Sequence, residues 1–130
     1  MIKDQVIDQK VYYINRALLK KYADASGDQN PIHQDEAFAK SVGLPDVIAH
    51  GMLTMALVGK YVSDLAGGSS HVLELGGRFT KPVIVPAGAE VDLTVSATVT
   101  DVADGKVSLS LSATSAGVKV LGMAKAVIQL

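Results

Sequence analysis

The sequence predicts an α+β fold in which an antiparallel β-sheet curls around one long central helix. From Val107 to Ser112 apolar residues alternate with serines, a period of two that gives a strand one apolar and one small polar face. Segments near Val72 to Phe79, Glu90 to Thr100 and Lys119 to Gln129 share the β-branched content, and Asp104-Gly105 and Ala116-Gly117 mark turns between strands. The run from Gly51 to about Leu65 is apolar on nearly all sides, as expected of a helix inside the protein. An apolar sheet face needs a cover, and this helix is the only element apolar enough to supply it.

The remaining elements follow in chain order. Val11 to Ile14 reads as a short strand, after which Asn15 caps a helix through Leu18, Leu19, Tyr22 and Ala23 that stops at Gly27. Asp35 caps a second, short helix with Phe38 and Ala39 facing inward and Gly43 at its exit, and Leu44 and Pro45 open a loop. No repeat or linker divides the chain, so one domain is expected over residues 1–130. A single sheet leaves open edges, which favours dimerisation by strand pairing or helix contact.

Composition excludes several roles. A net charge of −1, with 12 basic residues scattered along the chain, offers no stripe for nucleic acid or an anionic membrane. The chain has no cysteine, which rules out thiolate chemistry and disulfides and suits a reducing cytoplasm. Met1 to Lys10 carries charges and no apolar segment, so it does not read as a signal peptide. The longest apolar stretch, Val47 to Val62, is too short to span a bilayer and contains His50 and Lys60. The pairs Gly67-Gly68 and Gly76-Gly77 lack the spacing of a nucleotide-binding loop, and no cofactor is expected.

Reactive groups concentrate in one place. The run Ser26-Gly27-Asp28-Gln29-Asn30-Pro31-Ile32-His33 sets an acid and an imidazole across a turn that Asn30 and Pro31 restrict. Asp28 and His33 would then face one another with little freedom to lose, and a water between them would have two proton-handling neighbours. His33 and Asp35, with Asp28, make an incomplete and turn-bound metal ligand set, so no metal is expected. His71, beside Gly67, Gly68, Ser69 and Ser70, reads as a solvated loop residue, and Met52 and Met55 as core.

The segment from Tyr22 to His33, the run Ala49-His50-Gly51-Met52-Leu53-Thr54-Met55 and the run Gly77-Arg78-Phe79-Thr80-Lys81-Pro82-Val83 together resemble the MaoC-like hydratase/dehydratase family, whose fold is the hot dog. Members include (R)-specific enoyl-CoA hydratases and the catalytic subunit of the (3R)-hydroxyacyl-carrier-protein dehydratase of mycobacterial-type fatty acid synthesis, which the Ala49 to Met55 run is especially similar to. The resemblance implies reversible syn addition of water to a trans-2-enoyl thioester, carried on coenzyme A or an acyl carrier protein, to give a (3R)-hydroxyacyl thioester. It makes Asp28 and His33 the proton-handling pair and Gly51 the oxyanion donor through its backbone N–H. Asn30 would fix the turn or hydrogen-bond the catalytic pair, His50 would shape the same loop, and Arg78, Lys81 or Lys60 is a candidate for steering the phosphates of the carrier. Some hydratases place a serine on the central helix where this chain has Gly59. The resemblance also implies a homodimer, or a heterodimer with a related noncatalytic chain. A hot-dog thioesterase and a noncatalytic partner subunit are the alternatives.

Overall fold

Alternation decides which strand faces form the core. In the computed structural model, which describes residues 1–130, Leu93, Val95, Ala97 and Val99 are buried, and Val107, Leu109, Leu111 and Ala113 on the neighbouring strand share their face. The elements are β1 (Val6–Ile14), α1 (Arg16–Ser26), α2 (Glu36–Ser41), α3 (Gly51–Ala66), β2 (Val72–Phe79), β3 (Val91–Ala103), β4 (Lys106–Ser115), β5 (Val118–Lys119) and β6 (Leu121–Gln129), with 3-10 turns at Pro31–His33 and Ser69–His71. The sheet runs β1-β3-β4-β6-β2, antiparallel throughout, with β5 paired to β4. Helix α3 packs against β2, β3 and β6, the hot-dog arrangement expected from the sequence. No helix is long and apolar enough to cross a membrane.

Local signals place the helix ends. The Asn15 side chain accepts the Leu18 N–H at 2.9 Å, and Gly27, at φ 80°, closes α1 in the left-handed conformation that a side chain would resist. Asp35 accepts the Phe38 N–H at 3.0 Å and caps α2. Arg16 then ties α1 to the loop entering α3: its Nε donates to the Val85 carbonyl at 2.6 Å and its Nη2 meets Asp46 at 2.8 Å.

Several expectations need correction. Phe38 is exposed, because a six-residue helix presents only Ala39 to the core. Gly43 does stand at the exit of α2, at φ 94° one residue past the Val42 cap. The central helix is not enclosed all round, since Met52, Ala56, Lys60 and Asp64, four residues apart, line an exposed stripe. The first strand begins at Val6 and contains a bulge between Ile7 and Lys10, where the Tyr61 hydroxyl donates to the Asp8 carbonyl at 2.9 Å. The last strand is interrupted at Val120, which lets β5 turn back on β4 while β6 crosses to β2.

The turn between β4 and β5 places Ala116 at φ 51° and Gly117 at φ 75°, a conformation alanine resists. Asp92 offsets that resistance. Its carboxylate accepts the Ala116 N–H at 2.9 Å and the Thr94 hydroxyl at 2.8 Å, and these bonds, the Ala116 amide first, hold its pKa below the usual carboxylate value. Asp92→Ala should therefore destabilise the fold by about 1 kcal/mol at neutral pH, since a partly solvated site gives less than a buried charged hydrogen bond. A carboxyl depressed in the folded state stabilises above its unfolded pKa of about 3.9 and loses that stabilisation as pH falls through the folded value. Denaturant melts across that range should show the gap between variant and wild type closing in acid.

Candidate active site

The cap at Gly27 releases the chain into a turn that its own side chains shape. The Asn30 N–H donates to the Asp28 carboxylate at 3.2 Å, and the Asn30 side chain accepts the Ile32 N–H at 3.2 Å. Pro31 opens the 3-10 turn, which carries His33 into the interior while Asp28 stays exposed. His33 Nδ1 lies 2.7 Å from the Ile48 carbonyl. A carbonyl only accepts, so Nδ1 holds the proton and Nε2 presents a free lone pair in the neutral ring.

His50 meets this turn from the other side. It is the last residue before α3 and only 1% exposed, and its Nε2–H donates to the Asp28 backbone carbonyl at 3.1 Å. Its ring stacks on His33 with centroids 3.9 Å apart and planes 24° from parallel, and Tyr22 meets its edge at 4.7 Å. Burial holds the His50 pKa below the ordinary imidazole value. The Asp28 carbonyl opposes that shift, the neighbouring His33 adds to it, and the Asp28 carboxylate opposes it.

One donor atom from each of Asp28, His33 and His50 lies within 4.8 Å of the others, close enough to raise the question of a metal. The stacking argues against one. Imidazole binds metal in its ring plane, and two rings lying face to face direct their in-plane lone pairs side by side instead of at one point.

The start of α3 supplies the third component. Gly51 is the first residue of a 16-residue helix, where the opening amides have no carbonyl one turn back, and its N–H makes no hydrogen bond within the chain, which leaves it a free donor at the positive end of α3. A Cβ at Gly51 would lie 3.1 to 3.3 Å from the Phe79 ring, so the absent side chain is what lets that ring approach. Between these groups lies a cavity of about 290 Å³ whose lining includes His33, Gly51, Thr54, Phe79, Lys81 and Val120.

The structure thus brings Asp28, Asn30, His33, His50 and Gly51 into one neighbourhood. Arg78 stands apart: it is exposed, with its guanidinium 3.8 Å from the Met123 sulfur, and the cavity's cation is Lys81. Arg78 directly precedes Phe79 on β2, and successive strand side chains emerge on opposite faces, so the strand that turns the Phe79 ring to the cavity turns the guanidinium away from it. Thr54 and Phe79 are among the lining residues that had no assigned role in the sequence. Thr54 is buried and lies one turn past Gly51, a spacing that signals a shared helix face, whereas nothing in the pattern of β2 marked Phe79.

Residues 1–117 match the family model described as MaoC like domain. The chain belongs to that family. This MaoC like domain is 40% identical over 79 residues to 3-hydroxyacyl-thioester dehydratase X of Mycobacterium tuberculosis, an alignment that covers 61% of the chain and 27% of the relative. The chain therefore spans about a quarter of that curated relative's length. A solved MaoC-like dehydratase superposes with a TM-score of 0.96 at 32% identity, covering all of this chain and 41% of that one. The (R)-hydratase from A. caviae involved in PHA biosynthesis superposes with a TM-score of 0.84 at 26% identity, covering 100% of this chain and 97% of that one.

Gly51→Ala tests the packing at the cavity. The atoms it meets belong to an exposed, movable ring, so the variant should fold with thermal stability within a few degrees of wild type while Phe79 is displaced. A crystal structure or the Phe79 ring resonances would register that displacement, and an unmoved ring would contradict it.

Proposed function

We propose that this MaoC like domain catalyses the reversible hydration of trans-2-enoyl thioesters to (3R)-hydroxyacyl thioesters, with the acyl group carried on coenzyme A or an acyl carrier protein. The observation that carries the reading is that His33, its Nδ1 proton committed to Ile48, shares a cavity with the unused Gly51 amide. One group handles protons and the other stabilises an oxyanion, the two functions that addition of water across an activated double bond requires. The names of the dehydratase and hydratase relatives agree with it.

Water held between Asp28 and His33 attacks C3, giving up one proton to the pair, and the pair returns a proton to C2. The C=C π electrons move toward the thioester carbonyl as the C3–O bond forms, and the resulting negative charge on the thioester oxygen is met by the Gly51 N–H. Dehydration reverses each step.

A second copy of the chain is part of the proposal. Strand β2 pairs only with β6 and leaves its other edge open, and Leu73, Leu75 and Phe79 on it are exposed, as is Met52 on α3. An unpaired strand edge with apolar side chains is a template for another strand, so two copies would join along β2. Light scattering should report a dimer, and Leu75→Lys should shift it toward monomer.

The catalytic assay is the loss of enoyl absorbance from crotonyl-CoA and a longer trans-2-enoyl-CoA, with chiral analysis of the product. Asp28→Asn should lower kcat/KM by about a hundredfold or more without altering the melting temperature, because its side chain is exposed. His33→Ala should cause a similar loss of activity. It also strips the Ile48 carbonyl of its donor at about 1 to 3 kcal/mol, so circular dichroism must accompany the kinetics. Full activity in either folded variant, or release of free thiol with the double bond intact, would overturn the assignment.

A further inference from the structure

His50 is the most constrained polar side chain near the cavity. It has a hydrogen bond on one nitrogen, a histidine on one face and a tyrosine at its edge, yet it is absent from the cavity lining. Its other nitrogen, Nδ1, is buried with no protein partner. Leaving a buried polar atom unpaired costs free energy, and the cost is far smaller for an uncharged lone pair than for an N–H of a cationic ring. The environment therefore selects one state of this imidazole: neutral, with its proton on Nε2, where the Asp28 carbonyl waits.

That state bears on the reaction. A turnover that puts a proton on His33 creates a cation 3.9 Å from the His50 ring centroid. A neutral aromatic face attracts a cation placed over it, whereas two imidazolium rings at that distance repel. The titratable groups packed against His50 are His33 on its face, Tyr22 at its edge and Asp28, whose carbonyl it holds and whose carboxylate lies close by. Two groups favour a charged His50, the Asp28 carbonyl first and its carboxylate second; the carbonyl is served equally by the Nε2–H of the neutral ring, and the carboxylate is exposed to screening solvent.

We propose that His50 is a positioning residue of the hydration site: an uncharged imidazole that carries the Asp28 main chain on its Nε2–H and gives its ring face to His33, so that proton uptake by His33 meets a π surface and not a second cation. The inference rests on the proposed hydratase activity for its meaning, though its physical core, the charge and tautomer of His50, does not need substrate.

The test has two arms. In the first, long-range ¹H–¹⁵N spectra of the three imidazoles in the full chain are assigned with single His33 and His71 substitutions. At pH about 6.5, where a free imidazole is half protonated, the neutral Nε2–H form of His50 should dominate. A dominant cation, or a proton on Nδ1, overturns the proposal. In the second arm, His50→Gln keeps a donor and loses the ring, whereas His50→Phe keeps the ring and loses the donor. Each should lower kcat by about tenfold or more with KM within about twofold, and the kcat–pH profile of His50→Gln should differ in shape from wild type. Unchanged kcat in both folded variants overturns the positioning role. If the wild type itself turns over no enoyl thioester, the hydratase reading fails, and the spectra still decide the state of His50.

Discussion

The extended segment Val47 to His50 is the constraint on which the site depends. Its backbone is held on two sides: the Ile48 N–H donates to the Ile32 carbonyl at 3.2 Å, while Ala49 and Val85 exchange bonds with Val83 and Val47 at 2.9 and 2.8 Å. The same four residues give the Ile48 carbonyl to His33 and the His50 ring to Asp28, and their end is the start of α3. The turn, the helix N-terminus and the cavity wall at Val83 are therefore placed relative to one another by one strip of chain. Secondary structure frames that strip, but the hydrogen bonds along it set the distances that proton transfer needs.

The two histidines divide their work by environment. Both are buried, and each fixes its tautomer by donating to a main-chain carbonyl through opposite ring nitrogens: Nδ1 in His33 and Nε2 in His50. His33 thereby turns a lone pair toward usable space, and His50 leaves its own in a closed interior. Identical side chains in adjacent positions acquire different chemistry because different atoms of the backbone reach them first.

Much of the architecture was legible in the sequence because its signals are local. Asn15, Gly27 and Asp35 mark helix ends through contacts within three or four residues, and the alternation in β4 needs no knowledge of its neighbours. The proximity of Asp28 to His33 was legible for the same reason, since the turn between them is built by Asn30 and Pro31. What failed to show depends on distant chain. The outward direction of Phe38 follows from how little of α2 meets the core, and the position of Arg78 outside the cavity from which face of β2 meets the start of α3. Nor did the stack of His33 on His50 have a sequence mark, because it brings together two elements separated by the whole of α2.

The Ile48 contact has a consequence for how such a site is found by genetics. The acceptor that fixes the His33 tautomer is a main-chain oxygen, present whatever side chain occupies the position, and the Ile48 side chain is only half-buried. A saturation scan would score position 48 as permissive among residues of similar size, although its oxygen orients the proton-handling ring. Only a backbone edit, such as replacing the amide by an ester to weaken that carbonyl as an acceptor, would expose the dependence. The tolerance of a position to substitution and its importance to catalysis are separate quantities wherever the peptide group, which every substitution preserves, makes the contact.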